Sequence, residues 1–137
     1  MLVGNPGDKV CPVNGVINLL GRKWVFGILK DMFMGKTHFS QFKEDKPELS
    51  NVVLRDTLKF LEDEGLIYKN VDANSNKNTE YYLTSKGEKS NKILYEIVLY
   101  GLYVLEADQR SDELKKQLDD EYRQILNIDE NIQSYGD

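Results

Sequence analysis

The chain has 137 residues, 40% of them hydrophobic, and a formal net charge of −5. This length fits one domain with a single lean core, so we expect one domain over residues 1–137. One cysteine and one histidine exclude an intrachain disulfide and a cysteine-rich zinc site, and we expect neither a metal site nor a cofactor. The longest near-apolar stretch, 93–105, is interrupted by Glu96 and is too short to span a bilayer. Since residues 1–10 also lack the apolar run of a signal peptide, we expect a cytoplasmic protein with no membrane contact.

The first predicted elements are two helices within residues 11–34, separated near Gly21. Cys11 directly precedes Pro12, and proline favours the first position of a helix, so Cys11 is predicted at the N-cap. A helix N-terminus attracts negative charge, which makes this cysteine a possible redox or electrophile sensor. The alternative is a small buried apolar residue, the usual fate of a free cysteine. Trp24 is interpreted as a core residue.

Residues 35–66 predict a helix-turn-helix. In the first helix, Phe39 and Phe42 share one face at i, i+3 spacing. Thr37 is the expected N-cap, because its hydroxyl can accept an orphan N–H of the first turn. Pro47 ends this helix by disfavouring helical geometry in the residue before it.

The second helix of this pair has clear start and stop signals. Ser50 is the predicted N-cap, and Gly65 is the predicted residue after the last turn, where a positive φ costs little. Helical spacing directs Val53 or Leu54, and then Leu58 and Leu61, towards the interior. The outer face is left with Asn51, Val52, Arg55, Asp56 and Lys59. An ordinary amphipathic helix pair with a solvated charged face would show the same pattern.

A β-hairpin is predicted over residues 67–84. Segments 67–71 and 80–84 are rich in β-branched and aromatic residues, and 72–79 between them is a polar turn. A helix-turn-helix followed by a hairpin indicates a winged helix, whose second helix is shaped to lie in a DNA major groove. Arg55 is expected to contact guanine and Asn51 adenine. The residues predicted to contact DNA are Lys36, Thr37, His38, Ser50, Asn51, Val52, Arg55, Asp56, Lys59, Asn76 and Lys77.

The C-terminal segment, 85–128, is interpreted as dimerisation helices. Thr84 is the predicted N-cap of the first, and from Lys89 to about Ala107 the pattern is apolar nearly all round, which indicates burial on more than one side. A second copy of the chain is the simplest partner, and a long intrachain core helix is the alternative. A narrower helix follows from Ser111 to about Asn127. The predicted interface residues are Val13, Ile17, Ile93, Leu94, Ile97, Val98, Leu102 and Leu105.

The predicted fold is therefore mainly α with a small β-hairpin wing (α+β): a winged helix-turn-helix with N- and C-terminal dimerisation helices. Residues 104–137 are acidic on balance and the remainder is close to neutral. Because counterion release depends on the local basic footprint, the net charge does not exclude DNA. It does suggest that tight binding needs two copies of the domain.

Several motifs in this order resemble the HxlR family of bacterial and archaeal transcriptional regulators, a branch of the MarR-like winged-helix proteins. They are Cys11-Pro12-Val13, Gly21-Arg22-Lys23-Trp24, Phe39-Ser40-Gln41-Phe42, Leu49-Ser50, Glu64-Gly65-Leu66-Ile67, Glu80-Tyr81-Tyr82-Leu83-Thr84 and Lys86-Gly87. The resemblance implies a homodimer on a two-fold operator in double-stranded DNA. It also implies a possible response to oxidants or electrophiles, since several members use a cysteine at the position of Cys11. The wing tip departs from the family in lacking prolines and arginine.

Other functions are weighed against a regulator. An enzyme finds little support, because the chain has no glycine-rich phosphate loop and no His/Cys/Asp cluster. His38 lies where a phosphate contact is the better interpretation. A winged helix used only for protein–protein contact would suit the acidic composition. A regulator switched by a non-covalent small ligand also remains open.

Overall fold

The computed structural model describes residues 11–72, 75–105 and 109–128. Most of the ordered elements are helices, joined by one two-stranded antiparallel hairpin. In chain order they are α1 (Pro12–Leu20), α2 (Val25–Phe33), a 3₁₀ turn (Gln41–Lys43), α3 (Asn51–Asp63), β1 (Ile67–Asp72), β2 (Ser75–Leu83), α4 (Ser85–Glu88), α5 (Asn91–Tyr100), a π-helical segment (Gly101–Leu105) and α6 (Asp112–Ile125). This order confirms the winged helix-turn-helix predicted from the sequence.

The core lies between α2, α3, the base of the hairpin and the end of α6. Phe42 of the 3₁₀ turn is fully buried and meets Tyr81 of β2 edge-on, with ring centroids 6.2 Å apart. The half-buried side chain of Trp24 packs against this core, as its interpretation as a core residue requires. The apolar side chains with the least exposure are Val25, Ile28, Leu29, Phe42, Leu54, Leu61 and Leu126. A single apolar cluster thus fixes α3 relative to α2 and the hairpin.

The ends of α3 follow the sequence signals. The Val53 N–H donates to Ser50 Oγ at 3.1 Å, which makes Ser50 the N-cap. Gly65 has φ +78°, and the Leu66 N–H donates to the Leu61 carbonyl at 2.9 Å, the bond expected after a left-handed residue at a helix end. Both predictions are confirmed. The open choice at the inner face is also resolved, because Leu54 is buried and Val53 is exposed.

The prediction that Thr37 caps the first helix of this pair is wrong, because Ser40 precedes the helical turn. The side chain of Gln41 reaches back instead, and its Oε1 accepts the N–H groups of Thr37 at 2.8 Å and His38 at 2.9 Å. These bonds satisfy the backbone in a turn conformation, so regular helical structure is limited to Gln41–Lys43. The first helix of the helix-turn-helix is therefore a single 3₁₀ turn.

The hairpin lies where it was predicted, but its strands are longer than predicted. Ile67 pairs with Leu83 and the register continues to the tip, with an irregularity between Asn70 and Asp72. β2 begins at Ser75, so the predicted polar turn over 72–79 is wrong for most of its length; residues 73–74 lie outside the described part of the chain. Backbone ladder bonds need no apolar side chains, which is why the polar residues here still form a strand.

The hairpin is tied to the helices at its base. Thr84 caps α4, as predicted, by accepting the Gly87 N–H at 3.1 Å. A Cβ on Gly87 would lie 2.1 Å from the Leu66 carbonyl oxygen, so only glycine allows α4 to approach the start of β1 so closely. Ser111 caps α6 in the same way as Thr84, with the Leu114 N–H at 3.2 Å.

The helix predicted over 89–107 is divided. α5 ends at Tyr100, and a π-helical segment continues to Leu105. Because a π-helix has more residues per turn than an α-helix, side chains beyond Gly101 point in directions around the helix axis that differ from those of a continuous α-helix. Tyr95 of α5 donates a hydrogen bond to Asp119 of α6, which holds the two helices together. Within the described residues no helix has both the length and the apolar character needed to cross a membrane.

Candidate nucleic-acid interface

The outer face of α3 is the candidate nucleic-acid interface. Its inner residues Leu54 and Leu58 are buried against the core, so the opposite side of the helix points into solvent. The residues on that side are all exposed: Asn51, Val52, Arg55, Asp56 and Lys59. The structure thus brings together on one helix face the side chains that the sequence assigned to it, while Ser50 is used at its N-terminus as the cap.

Arg55 is positioned by an aromatic ring. Its guanidinium carbon lies 5.9 Å from the ring centroid of Phe39, in the turn before α3. A cation over an aromatic face is attracted electrostatically, by about 0.5–1 kcal/mol at an exposed site. Lys59, one turn further along, lies 3.4 Å from Asp63 in an exposed ion pair. Arg55 thus contacts a residue outside α3, whereas Lys59 pairs with a residue of its own helix.

Asn51 has a partner that the sequence analysis missed. The Nζ of Lys43, at the end of the 3₁₀ turn, donates a hydrogen bond to Asn51 Oδ1. The two residues are eight positions apart, across an irregular connection, so no helical or strand periodicity points to the contact. Its effect is to fix the amide of Asn51 at the start of α3.

The residues before the 3₁₀ turn are more engaged with the protein than predicted. Thr37 accepts the Tyr81 N–H through its carbonyl oxygen at 2.8 Å, and its hydroxyl lies 3.0 Å from His38 Nδ1. Lys36 Nζ is 3.9 Å from both Asp31 and Asp45. All three predicted DNA contacts in this segment are half-buried. The other two predicted contacts, Asn76 and Lys77, lie in β2, with side chains outside the described part of the structure.

A buried ionic cluster lies behind the interface. The Asp31 side chain of α2 is fully buried and accepts a hydrogen bond from Lys46, which also donates to Asp45 at 2.8 Å. Lys30 Nζ is 3.4 Å from Asp31. The hydrogen bond from Lys46 lowers the pKa of Asp45 to about 2. Because Lys46 precedes α3, the cluster links α2 to the segment that leads into α3.

Exposed apolar side chains also lie on α1 and on α5. Val13 and Ile17 of α1 are 67% and 59% exposed, and Ile97 of α5 is 45% exposed. Ile97 lines a groove of about 580 Å³ together with Ile93, Tyr100 and Leu105, the last of which is 74% exposed. We use the name apolar face for the exposed members of this set, which are Val13, Ile17, Ile97, Tyr100 and Leu105.

Two residues predicted for the dimer interface must be removed from it. Leu94 and Leu102 are only 4% and 6% exposed, because they are buried within their own chain. The uniform apolar pattern of this segment could not show which side faces the domain. Ile93 and Val98 are half-buried. Cys11 is at the N-cap of α1, as predicted, and is also half-buried.

The chain has a winged helix-turn-helix, and its second helix presents an exposed polar face. This architecture is typical of helix-turn-helix transcriptional regulators. The model of the HxlR-like helix-turn-helix family matches residues 19–109. The chain therefore belongs to the HxlR family of transcriptional regulators.

Comparisons with individual proteins agree with this assignment. The HTH-type transcriptional regulator YvaP of Bacillus subtilis is 34% identical over 91 residues, which cover 66% of this chain and 84% of YvaP. The structure of the redox regulator HypR in its reduced form has a TM-score of 0.65 and 25% identity, and covers 77% of this chain and 99% of HypR. Quinone-bound YodB from B. subtilis has a TM-score of 0.57 and 26% identity over 67% of this chain and 97% of YodB.

Proposed function

We propose that this protein is a homodimeric regulator that binds a two-fold operator in double-stranded DNA through α3. The observation that carries the proposal is the exposed face of α3, on which the Arg55 guanidinium lies 5.9 Å from the ring centroid of Phe39. Both ends of the helix are held by local hydrogen bonds, so this face is preorganised for the major groove. Arg55 and Asn51 contact base edges, and Lys59 contacts the phosphate backbone.

The apolar face supports the homodimer. Its exposed valine, isoleucine and leucine side chains gain about 25 cal/mol for each Å² of apolar area removed from water. A second copy of the chain presents the same surface, so α1 of one protomer can cover α5 of the other by two-fold symmetry. The two copies of α3 are then expected about 34 Å apart, which matches half-sites separated by one helical turn of DNA.

A salt-dependent DNA-binding experiment tests this function. The full chain is titrated into a fluorescent duplex from its own promoter region and into a random duplex of equal length, at several salt concentrations. We expect tighter binding to the promoter duplex and a linear fall of log affinity with log salt. If both duplexes bind weakly and without salt dependence, the protein is a winged helix used for protein contact and the proposal is wrong.

A specific observation also favours regulation through Cys11. Cys11 is half-buried and occupies the N-cap position of α1, the helix that carries part of the apolar face. The related structures include HypR in an oxidised form and YodB in quinone-bound form. We propose that Cys11 is either alkylated by an electrophile such as a quinone or oxidised by a diamide-type oxidant, which takes two electrons and two protons from the Cys11 thiols of both protomers and leaves an intersubunit disulfide. Either product shifts α1 and thereby the spacing of the two copies of α3. Such a shift alters affinity only if DNA distinguishes the two dimer geometries.

The sensor is tested by gel-shift with diamide or a quinone, comparing the wild type with Cys11→Ser. We expect the oxidant to change DNA affinity only in the wild type. If the wild type is unaffected, or if Cys11→Ser responds equally, Cys11 is structural. Any inducer would then be a non-covalent small ligand.

A further inference from the structure

The Lys43–Asn51 hydrogen bond determines what Asn51 can offer to DNA. Lys43 Nζ is an ammonium group with three donors and no acceptor. Its partner in the Asn51 amide must therefore be the oxygen, and Oδ1 is the atom that accepts. The amide orientation thus follows from the chemistry of Lys43, and the NH₂ group is the part of the amide that can donate to another partner.

This orientation does not suit adenine, the base that the sequence analysis assigned to Asn51. Recognition of adenine needs an amide oxygen to accept from N6 and an amide NH₂ to donate to N7. Lys43 already donates to one of the two lone pairs of this oxygen, so the N6 amino group of adenine would have to approach it beside an ammonium group. The amide NH₂ and the remaining protons of Lys43 are all donors. The guanine edge presents two acceptors, N7 and O6, in the major groove. We propose that Lys43 is a specificity residue and that the Lys43–Asn51 pair reads guanine.

The location of the pair favours a base over a phosphate, which also presents only acceptors. Asn51 is the first residue of α3, and residues near the N-terminus of a recognition helix contact base edges. The neighbouring acceptor, Ser50 Oγ, is occupied by the Val53 N–H at 3.1 Å. Arg55 adds a second group of donors one turn further along. The inference rests on the proposed function, since it names the base that α3 reads.

Selection from a random double-stranded DNA library tests the inference without a known operator. The full-length wild type, Lys43→Met, Asn51→Ala and the control Lys59→Met each select bound duplexes, which are then sequenced. The base pair that Asn51 reads is the position at which Asn51→Ala loses the base preference shown by the wild type. We expect the wild type to favour G·C over A·T at that pair by about fivefold or more. In Lys43→Met the freed amide oxygen should move the preference to A·T.

The control and the outcomes separate the possible failures. Lys59→Met also replaces one lysine by methionine, but in α3 and away from Asn51, so it should lower affinity for all sequences without changing the preferred pair. If Lys43→Met does the same, Lys43 is only a phosphate contact and the inference is wrong. A wild-type preference for A·T at this pair also refutes it and leaves the proposed function intact. If neither the wild type nor any variant enriches a sequence, both the inference and the proposed function are wrong.

Discussion

The buried pair of Asp31 and Lys46 gives the sharpest prediction about stability. Asp31 is fully buried and Lys46 is 8% exposed, so Lys46→Met would leave a carboxylate in the interior without its hydrogen-bond donor. Removing one partner of a buried pair costs about 3–5 kcal/mol. Lys30 and Lys36 remain 3.4 Å and 3.9 Å from Asp31 and offset part of that cost. We therefore expect a loss near the lower end, about 3 kcal/mol of unfolding free energy.

Urea unfolding of single and double variants measures this loss. The unfolding free energy is extrapolated to water at one fixed protein concentration, because a dimer's stability depends on concentration. Replacing both partners, as Asp31→Leu with Lys46→Met, should return stability to within about 1 kcal/mol of the wild type, since no buried charge is then left unpaired. The matched control Lys30→Met removes a more exposed lysine and should cost less. A loss below about 1 kcal/mol in Lys46→Met, or a double variant as unstable as the single one, would refute the reasoning.

The other four predictions concern the outer face of α3, the apolar face, the N-cap of α3 and the buried ionic cluster. Arg55→Ala should lose about 1–3 kcal/mol on the selected operator and little on random duplex, measured by fluorescence anisotropy. Ile97→Glu should place a charge in the proposed dimer interface and give a folded monomer, measured by sedimentation at micromolar concentration together with circular dichroism. Ser50→Ala should cost about 1 kcal/mol of unfolding free energy by removing the N-cap of α3. The pKa of Asp45 is lowered from its usual 3.8 to about 2. Its contribution to stability is therefore present above pH 4 and is lost as the pH falls through about 2. Asp45→Asn should reduce this acid dependence of the unfolding free energy, measured by urea titration at several pH values.

Each of these predictions has a contrary outcome. Equal losses by Arg55→Ala on both duplexes would make Arg55 a phosphate contact. If the wild-type protein already sediments as a monomer, the proposal of a homodimer is wrong. An unchanged free energy in Ser50→Ala would mean that another group satisfies the Val53 N–H. Unaltered acid dependence in Asp45→Asn would assign the titration to a different carboxyl group.

The sequence could predict the parts of this protein that are held by neighbouring residues. Ser50, Thr84 and Ser111 each cap a helix by accepting an N–H three residues further along. Gly65 ends α3 in the left-handed conformation that its lack of a Cβ permits. Because these bonds close within a few residues, the helices and their order follow from local patterns. The outer face of α3 follows from the same helical spacing.

Tertiary structure alone decided which partners these elements bring together. Asp31 and Lys46 are fifteen positions apart, and the contact of Lys43 with Asn51 depends on how the 3₁₀ turn meets α3. In α5, Leu94 is buried and Ile97 exposed, although both are aliphatic residues of one helix. Periodicity records that a side chain is apolar but not which surface will cover it, since that depends on the orientation of α5 against α6. The winged fold could thus be inferred from the sequence, whereas the composition of the interface, the apolar face and the buried ionic cluster was determined by packing.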